Sequence, residues 1–317
     1  MDNPLVSIVT PCYNGAPYLP SFFDSILNQT YKHLEVIFVD DGSQDDTKKV
    51  VDQYSSKFKD SNIEFIYIYQ DNGGQASALN RGLKYFKGEY LSCVDSDDEL
   101  GNNFIFNKLK YMQDNIQCHF CYGNTVFIDQ TSKDVILEKG RIDFVNETEF
   151  FEDVLYSKKI VFSAYMFRTS SFDSIIKNRE IYCGRGGQNA QLLIPFSWHY
   201  GNPGYVRDSE YFYYCRSNSH SHSKNTSEKV IKQYENYLAI LLNTLELLPS
   251  DMNKIKKKVS IYYSKIMYGN AIDTKNSQLI KKYYYNLKKL KCVNFKEFLL
   301  YLKYTNKCFE KIMNLRK

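Results

Sequence analysis

Three times in its first ninety residues this chain repeats one rhythm: an apolar, β-leaning run, a polar loop bearing glycine, then side chains at helical spacing. Leu5-Val6-Ser7-Ile8-Val9 runs into Thr10-Pro11 and the turn-rich Tyr13-Asn14-Gly15, after which Tyr18, Leu19, Phe22, Phe23, Ile26 and Leu27 recur at helical spacing to Asn28-Gln29-Thr30. Leu34–Val39 leads to Asp40-Asp41-Gly42-Ser43. Ser43 is placed to cap a helix through Lys57, with Gln44, Asp45 and Asp46 in its first turn, where the helix dipole favours acids. Ile63–Tyr69 leads to Asn72-Gly73-Gly74-Gln75 and a helix from Ala76 to Phe86 that turns Leu79, Leu83 and Phe86 inward. Strand, loop, helix in series is the pattern of a parallel α/β sheet. In such a sheet the loops gather at the carboxyl edge, where helix N-termini offer free N–H groups to phosphate or ribose.

A fourth run, Gly88-Glu89-Tyr90-Leu91-Ser92-Cys93-Val94, ends in Asp95-Ser96-Asp97-Asp98-Glu99. Three aspartates within four positions repel one another unless a cation compensates. Mg²⁺ and Mn²⁺ take oxygen ligands and commonly combine one or two carboxylates with phosphate oxygens, so the cluster reads as a seat for a metal–diphosphate. An acidic turn after an edge strand explains the same residues.

Five blocks in order carry a family resemblance: Ser7–Asn14, Ser25–Tyr31, Glu35–Ser43, Asn72–Gln75 with Asn80-Arg81-Gly82, and Asp95–Asp98. Over about the first 110 residues the chain resembles family 2 glycosyltransferases of the GT-A fold, and the ordered set is far more specific than any single block. The resemblance implies a Rossmann-like, mixed but mostly parallel sheet flanked by helices, followed here by a helical C-terminal region. It implies that Thr10, Pro11 and Tyr13 line the nucleotide pocket and that Asp41 accepts a hydrogen bond from the uracil imide. Asn72, Gly74 and Gln75 would border base and ribose. Asp95 and Ser96 would sit near ribose or metal, and Asp97 would bind an Mn²⁺ or Mg²⁺ ion bridging the diphosphate of a UDP-sugar. Asp98 is a second candidate ligand.

The second half departs from the family pattern. Phe104–Asp114 reads as a helix, Phe120–Ile128 as a strand opening the acceptor half, and Tyr165–Arg168 as the short strand before the acceptor loop. Inverting members usually carry a Glu-Asp pair in that loop, whose Asp deprotonates the attacking hydroxyl. Here the matching place reads Gly187-Gln188-Asn189-Ala190-Gln191, and amides cannot accept a full proton near neutral pH. Three explanations stand. Gln188, Asn189 and Gln191 bind sugar while Asp97, Asp98 or Asp173 serves as base; departure of UDP leads and little base is needed; or catalysis is impaired. Trp198 is a candidate for stacking on an acceptor sugar, with partial burial as the plain alternative. Tyr211–Arg216 reads as a last strand, and Arg216, His220, Ser221 and His222 match a loop that closes over the diphosphate in related enzymes.

Charge and cysteine usage bound the rest. The chain of 317 residues has a formal charge of +5, but Lys224–Lys317 holds 20 Lys/Arg against 7 Asp/Glu, leaving the remainder at about −8. Helical stripes such as Ile231, Tyr234, Leu238, Leu241 and Leu245, and later Ile255–Tyr268, Leu279–Leu290 and Phe295–Leu302, make this region a set of basic, aromatic helices. Contact with an anionic membrane surface, a solvated lysine face or a dimer contact all account for it; a nucleic-acid partner is not expected. Eight scattered cysteines, with a single CxxC at Cys118–Cys121, read as free thiols. No leader or membrane-spanning run is evident, so a cytoplasmic protein is the expectation, with peripheral contact at the inner face of the membrane as one option for the basic region. The expected layout is a glycosyltransferase domain over 1–223, with a nucleotide-sugar half at 1–115 and an acceptor half at 116–223, then the basic helical region at 224–317. The expected function is metal-dependent, inverting transfer of one sugar to a surface glycan or lipid-linked acceptor. Its rivals are a nonenzymatic UDP-sugar-binding scaffold, motivated by the amides, and a haloacid-dehalogenase-like phosphatase, whose site also begins with Asp-x-Asp after a strand.

Overall fold

A computed structural model describes residues 3–306 apart from 145, 147, 159–164 and 217–225. The chain divides into two compact units, Met1–Ser219 and His220–Lys317. The first opens with β1 (Val6–Cys12), α1 (Leu19–Leu27), β2 (Leu34–Asp41), α2 (Thr47–Asp60), β3 (Glu64–Gln70), α3 (Gln75–Leu83) and β4 (Tyr90–Cys93), in the expected alternation. These four strands are parallel in the order β3-β2-β1-β4. Every residue of β1 and β2 is buried, which is why both read as unbroken apolar runs and not as alternating ones. One face is covered by aromatic packing: Phe23 of α1 meets Phe38 at 5.4 Å between ring centroids, and Phe58 of α2 stacks on Phe65 at 4.6 Å. The other face carries α3, brought close by Gly82, where a Cβ would stand 2.5 Å from Val9 Cγ1.

The two edges of this sheet differ in chemistry. At the amino edge Glu35 is fully buried and draws the chain shut, its Oε1 accepting from Ser7 Oγ at 2.5 Å and from the backbone N–H groups of Lys87 and Gly88 at 2.5 and 3.0 Å. At the carboxyl edge the strands end in polar loops. Because β1 lies between β2 and β4 while the chain reaches them in opposite directions, the strand order reverses at β1, the place where open α/β sheets form a crevice.

The unit continues through β5 (Glu99–Leu100), α4 (Phe104–Asp114), β6 (Phe120–Asp129), β7 (Val135–Lys139), α5 (Glu149–Tyr156), β8 (Met166–Arg168), α6 (Thr169–Ile175), α7 (Gln188–Tyr200) and β9 (Gly204–Cys215). The short β8 is antiparallel to both β4 and β6 and so joins the two halves into one sheet, β3-β2-β1-β4-β8-β6-β9-β5, with β7 paired to β6. The last strand starts seven residues earlier than its apolar run Tyr211–Cys215 suggests. The register with β6 shifts between Gly123 and Thr125, which accommodates the polar Arg207–Glu210 stretch inside a strand. Ser43 does not cap α2: that helix begins at Thr47 with no acid in its first turn, and the residues before it serve the site described below.

The second unit consists, among the described residues, of α8 (Ser227–Glu246), α9 (Asn253–Thr274), α10 (Ser277–Lys289) and α11 (Phe295–Thr305). Its core holds Ile240, Leu241, Val259, Tyr263, Ile280, Tyr283 and Leu287, all 1% exposed or less. Side chains of Thr226, Asn276 and Asn294 cap α8, α10 and α11. No helix among the described residues is long and apolar enough to cross a membrane.

Candidate active site

Four strand ends meet at the carboxyl edge, and hydrogen bonds tie their loops to one another. After β1, Asn14 adopts φ 52° and exchanges bonds with the loop after β2: its N–H donates to Ser43 Oγ at 2.9 Å and its Oδ1 accepts from Gln44 N at 2.8 Å. Gly15 N donates to Thr47 Oγ1 at 3.0 Å and Ala16 N to Asp45 Oδ2 at 3.1 Å. Ser43 and Asp45 therefore hold the β1 loop. Thr10 and Pro11 are buried within β1, Thr10 with its Oγ1 lacking a partner, while Tyr13 just beyond them is 50% exposed.

Asp41 closes β2 and organises the loop after β3. Its Oδ1 accepts from Gln70 Nε2 at 2.7 Å and Gly73 N at 2.8 Å, and its Oδ2 from Gly74 N at 2.8 Å. Gly74 enters α3 at φ 86°, a backbone that favours glycine. Asn72, Gly74 and Gln75 are exposed there. Gln75 then reaches across to β4, donating from Nε2 to Asp95 Oδ1 at 2.9 Å. Asp41, the Asn72–Gln75 loop and Asp95 thus form one connected arc.

The acid cluster divides its labour. Enclosure and the neighbouring Asp97 push the Asp95 carboxyl up to about 7, against the hydrogen bond from Gln75 and the charge of Arg216. Ser96 is buried, with its hydroxyl on the thiol of Cys12. Asp97 is half exposed and already carries a cation: Arg216 Nη1 pairs with its Oδ2 and Nη2 donates to its carbonyl at 2.6 Å. The same guanidinium lies over the Tyr18 ring, 3.8 Å from the centroid. Asp98 departs from the expected ligand or base role. It is 2% exposed, and its oxygens accept from Tyr211 Oη at 2.5 Å and Tyr214 N at 3.1 Å, which fastens β9 to the acid turn. Burial, then Asp97 and Asp95, hold its carboxyl well above the usual carboxylate range.

On the acceptor side, Asn80 of α3 moors the loop before α7. Its Nδ2 donates to Ile181 O and its Oδ1 accepts from Ile181 N, both at 2.8 Å. Gln188 and Asn189 follow in the first turn of α7, partly or fully exposed, after Gly187 in the left-handed region. One expected sugar contact needs correction. Gln191 is 3% exposed and its amide is consumed by the backbone of Tyr182, accepting at 2.7 Å and donating at 2.9 Å. Trp198 is 37% exposed and packs one face on Phe151 at 5.3 Å; ten residues along α7 from Gln188, it is about 15 Å away along the helix axis. Asp173, a candidate base, is held by Arg179 through two bonds of 2.7 and 2.9 Å. His220, Ser221 and His222 lie outside the described residues. Tyr18, read only as an apolar helix position, emerges as the platform for Arg216; no local pattern signals a partner so distant in sequence.

Asp95 and Asp97 are the oxygen donors that a hard divalent cation would use here, and Arg216 already lies on Asp97. Among the described residues no group of three or more His, Cys, Asp or Glu side chains could hold a metal. A bound ion would then draw its remaining oxygens from a phosphate ligand, as Mg²⁺ and Mn²⁺ commonly do.

The family model described as "Glycosyl transferase family 2" matches residues 7–173, more than half of the chain. A Rickettsia prowazekii (strain Madrid E) protein described as an uncharacterized glycosyltransferase is 43% identical over 110 residues, 35% of this chain and 32% of that protein. TuaG of Bacillus subtilis (strain 168), a glycosyltransferase named for teichuronic acid biosynthesis, is 35% identical over 119 residues, 38% of this chain and 46% of its own. The aligned stretches therefore span from about a third to about half of these relatives. Among solved structures, Staphylococcus aureus TarS 1–349 in complex with UDP superposes with a TM-score of 0.53 at 15% identity, covering 98% of this chain and 91% of that one. The mannosyltransferase PcManGT of Pyrobaculum calidifontis, in complex with GDP-Man and Mn²⁺, gives 0.53 at 14% identity, covering 98% and 83%. At such identities the likeness is one of fold.

Proposed function

Since the chain belongs to glycosyl transferase family 2, we propose that it transfers a single sugar from a UDP-sugar to an acceptor hydroxyl, with inversion at the anomeric carbon. The observation that carries this reading is the arc from Asp41 through the Asn72–Gln75 loop to Asp95, beside an Asp97 that holds a positive charge. A carboxylate has about four acceptor positions, and three on Asp41 are taken by Gln70, Gly73 and Gly74. The remaining one suits the imide N–H of uracil. Tyr13, half exposed at the end of β1, offers a ring to the base.

Asp97 and Asp95 would hold Mn²⁺ or Mg²⁺, whose chemistry when bound is to neutralise charge on the departing diphosphate. Arg216, within reach of the same place, supplies a planar donor pair suited to phosphate oxygens. Gln188 and Asn189 orient the acceptor hydroxyl as hydrogen-bonding amides. With Asp98 tied to Tyr211 and Asp173 to Arg179, proton removal is secondary and departure of UDP leads. Support for a surface-glycan acceptor comes from TuaG, and support for the donor class from the UDP-bound TarS structure. The basic helical unit gives peripheral membrane contact. The family match sets the phosphatase alternative aside.

The test is calorimetric binding of UDP and a panel of UDP-sugars with and without Mn²⁺, together with an assay of sugar release and transfer. Asp97→Asn is expected to abolish metal-dependent transfer with the fold intact. Gln188→Ala and Asn189→Ala are expected to weaken acceptor use more than UDP binding. UDP binding with neither hydrolysis nor transfer would instead support a binding scaffold, and full turnover in Asp97→Asn would remove the metal assignment.

A further inference from the structure

The helical hairpin of α10 and α11 carries exposed aromatic rings and exposed lysines. Apolar as it is, α11 has no fully buried residue. Its inward side is fixed by Tyr301, stacked on Tyr284 at 4.0 Å, and by Glu297, whose carbonyl accepts from Tyr268 Oη at 2.7 Å and whose carboxylate faces Lys265 at 3.4 Å. Phe295 and Phe298, three residues apart and so neighbours on the helix surface, are left 75% and 40% exposed. Tyr285, near the end of α10, is 49% exposed.

The charge around these rings has one sign. Lys288, Lys289, Lys291 and Lys296 are all exposed and cluster at the turn where α10 passes into α11. Glu297 is the sole acid between Ser277 and Asn306, and it is turned inward, its Oε2 accepting from Asn294 N at 2.7 Å in the capping box.

We propose that the turn end of the α10–α11 hairpin is a docking surface for an anionic lipid bilayer, with Phe295 and Phe298 entering the headgroup layer and the lysines facing lipid phosphates. This rests on the peripheral contact proposed above and names the surface that makes it. The charge complementarity selects the partner. Lysine is a mobile point charge suited to a diffuse anionic surface, whereas recognition of nucleic acid or of individual carboxylates favours the arginine fork, and α10 and α11 contain no arginine. Phenylalanine has no polar group to offer an acidic peptide, but burying its ring at the acyl boundary removes apolar surface from water.

The experiment is co-sedimentation of the full chain with vesicles of phosphatidylcholine alone or with about a third phosphatidylglycerol, at low and high salt. The wild-type chain is expected to bind only the anionic vesicles, and less as salt rises. Phe295→Ala with Phe298→Ala should lower that affinity about tenfold, and each neutralised lysine in Lys288→Gln, Lys289→Gln and Lys291→Gln by about fivefold. Circular dichroism and UDP calorimetry on the same variants should match the wild type, since these side chains are exposed and are not among the residues proposed to bind nucleotide. No binding of the wild type to anionic vesicles overturns membrane contact altogether. Wild-type binding with all variants equal to it overturns this surface alone, as does a dimer seen by light scattering that the phenylalanine variants dissolve.

Discussion

Arg216 and Asp97 make the most consequential side-chain contact in the first unit, because a cation already sits on the carboxylate proposed to hold the metal. The guanidinium is 14% exposed, grips both the carboxylate and the carbonyl of Asp97, and is seated on Tyr18. A hydrogen bond to a charged group contributes about 1.5–3 kcal/mol, less here because the Asp97 side chain is 42% exposed. Arg216→Ala should therefore raise the affinity for Mn²⁺ in the absence of nucleotide by about tenfold, read by electron paramagnetic resonance of free Mn²⁺, with Arg216→Lys in between. Unchanged affinity in both variants would show that the arginine and the metal do not compete. The need of the three clustered aspartates for a compensating cation was legible in the sequence. The pairing of Asp97 with Arg216 was not, since the two residues are 119 positions apart and only the fold joins them. The same limit hid the engagement of Asp98 with Tyr211 and of Gln191 with Tyr182: residue type shows what a group can do, and burial shows what it is already doing.

At the scale of elements, α3 is the hinge of the site. Its N-terminal loop is held by Asp41, its first residue by Asp95, and its Asn80 holds the loop before α7. Gly82 allows this placement, with a Cβ there standing 2.5 Å from Val9 Cγ1 and 3.2 Å from Val39 Cγ2. Gly82→Ala must push α3 off β1 and β2, and overpacking of this kind costs about 1–3 kcal/mol, against a smaller gain from helix propensity. The expected outcome is a lowered melting temperature together with weaker UDP binding, because the Asn72–Gln75 loop moves with the helix. A variant that melts early yet binds UDP as the wild type does would separate the helix from the nucleotide loop. β1 and β2 were readable because every residue in them is buried and leaves an unbroken apolar run, and the helices between the first strands from their periodicity. The start of β9 was not, because its polar Arg207–Glu210 segment is carried by a bulge against Gly123, a feature with no period. β7 was missed for a related reason: Val135, Ile136 and Leu137 are exposed and lack alternation.

At the scale of the molecule, the question is which unit holds which property. The residues proposed for the donor, Tyr13, Asp41, Gln75, Asp95, Asp97 and Arg216, all belong to Met1–Ser219, which holds a buried apolar cluster of its own running from Val6 through Phe38 and Met112 to Tyr211. The surplus of positive charge belongs to the other unit, as does the aromatic face of α11. A unit with its own core can in principle fold alone, so residues 1–219 expressed by themselves should bind UDP with an affinity within a few-fold of the full chain and lose affinity for anionic vesicles. Two measurements on one truncated protein then separate the roles. Lost UDP binding in a fragment that keeps its circular dichroism would mean that the helical unit completes the nucleotide site, whereas retained vesicle binding would move the membrane surface onto the sheet-bearing unit. Retained UDP binding with lost vesicle binding assigns recognition of the donor to strand ends and attachment to helices, which is the division that the charge asymmetry of the chain already draws.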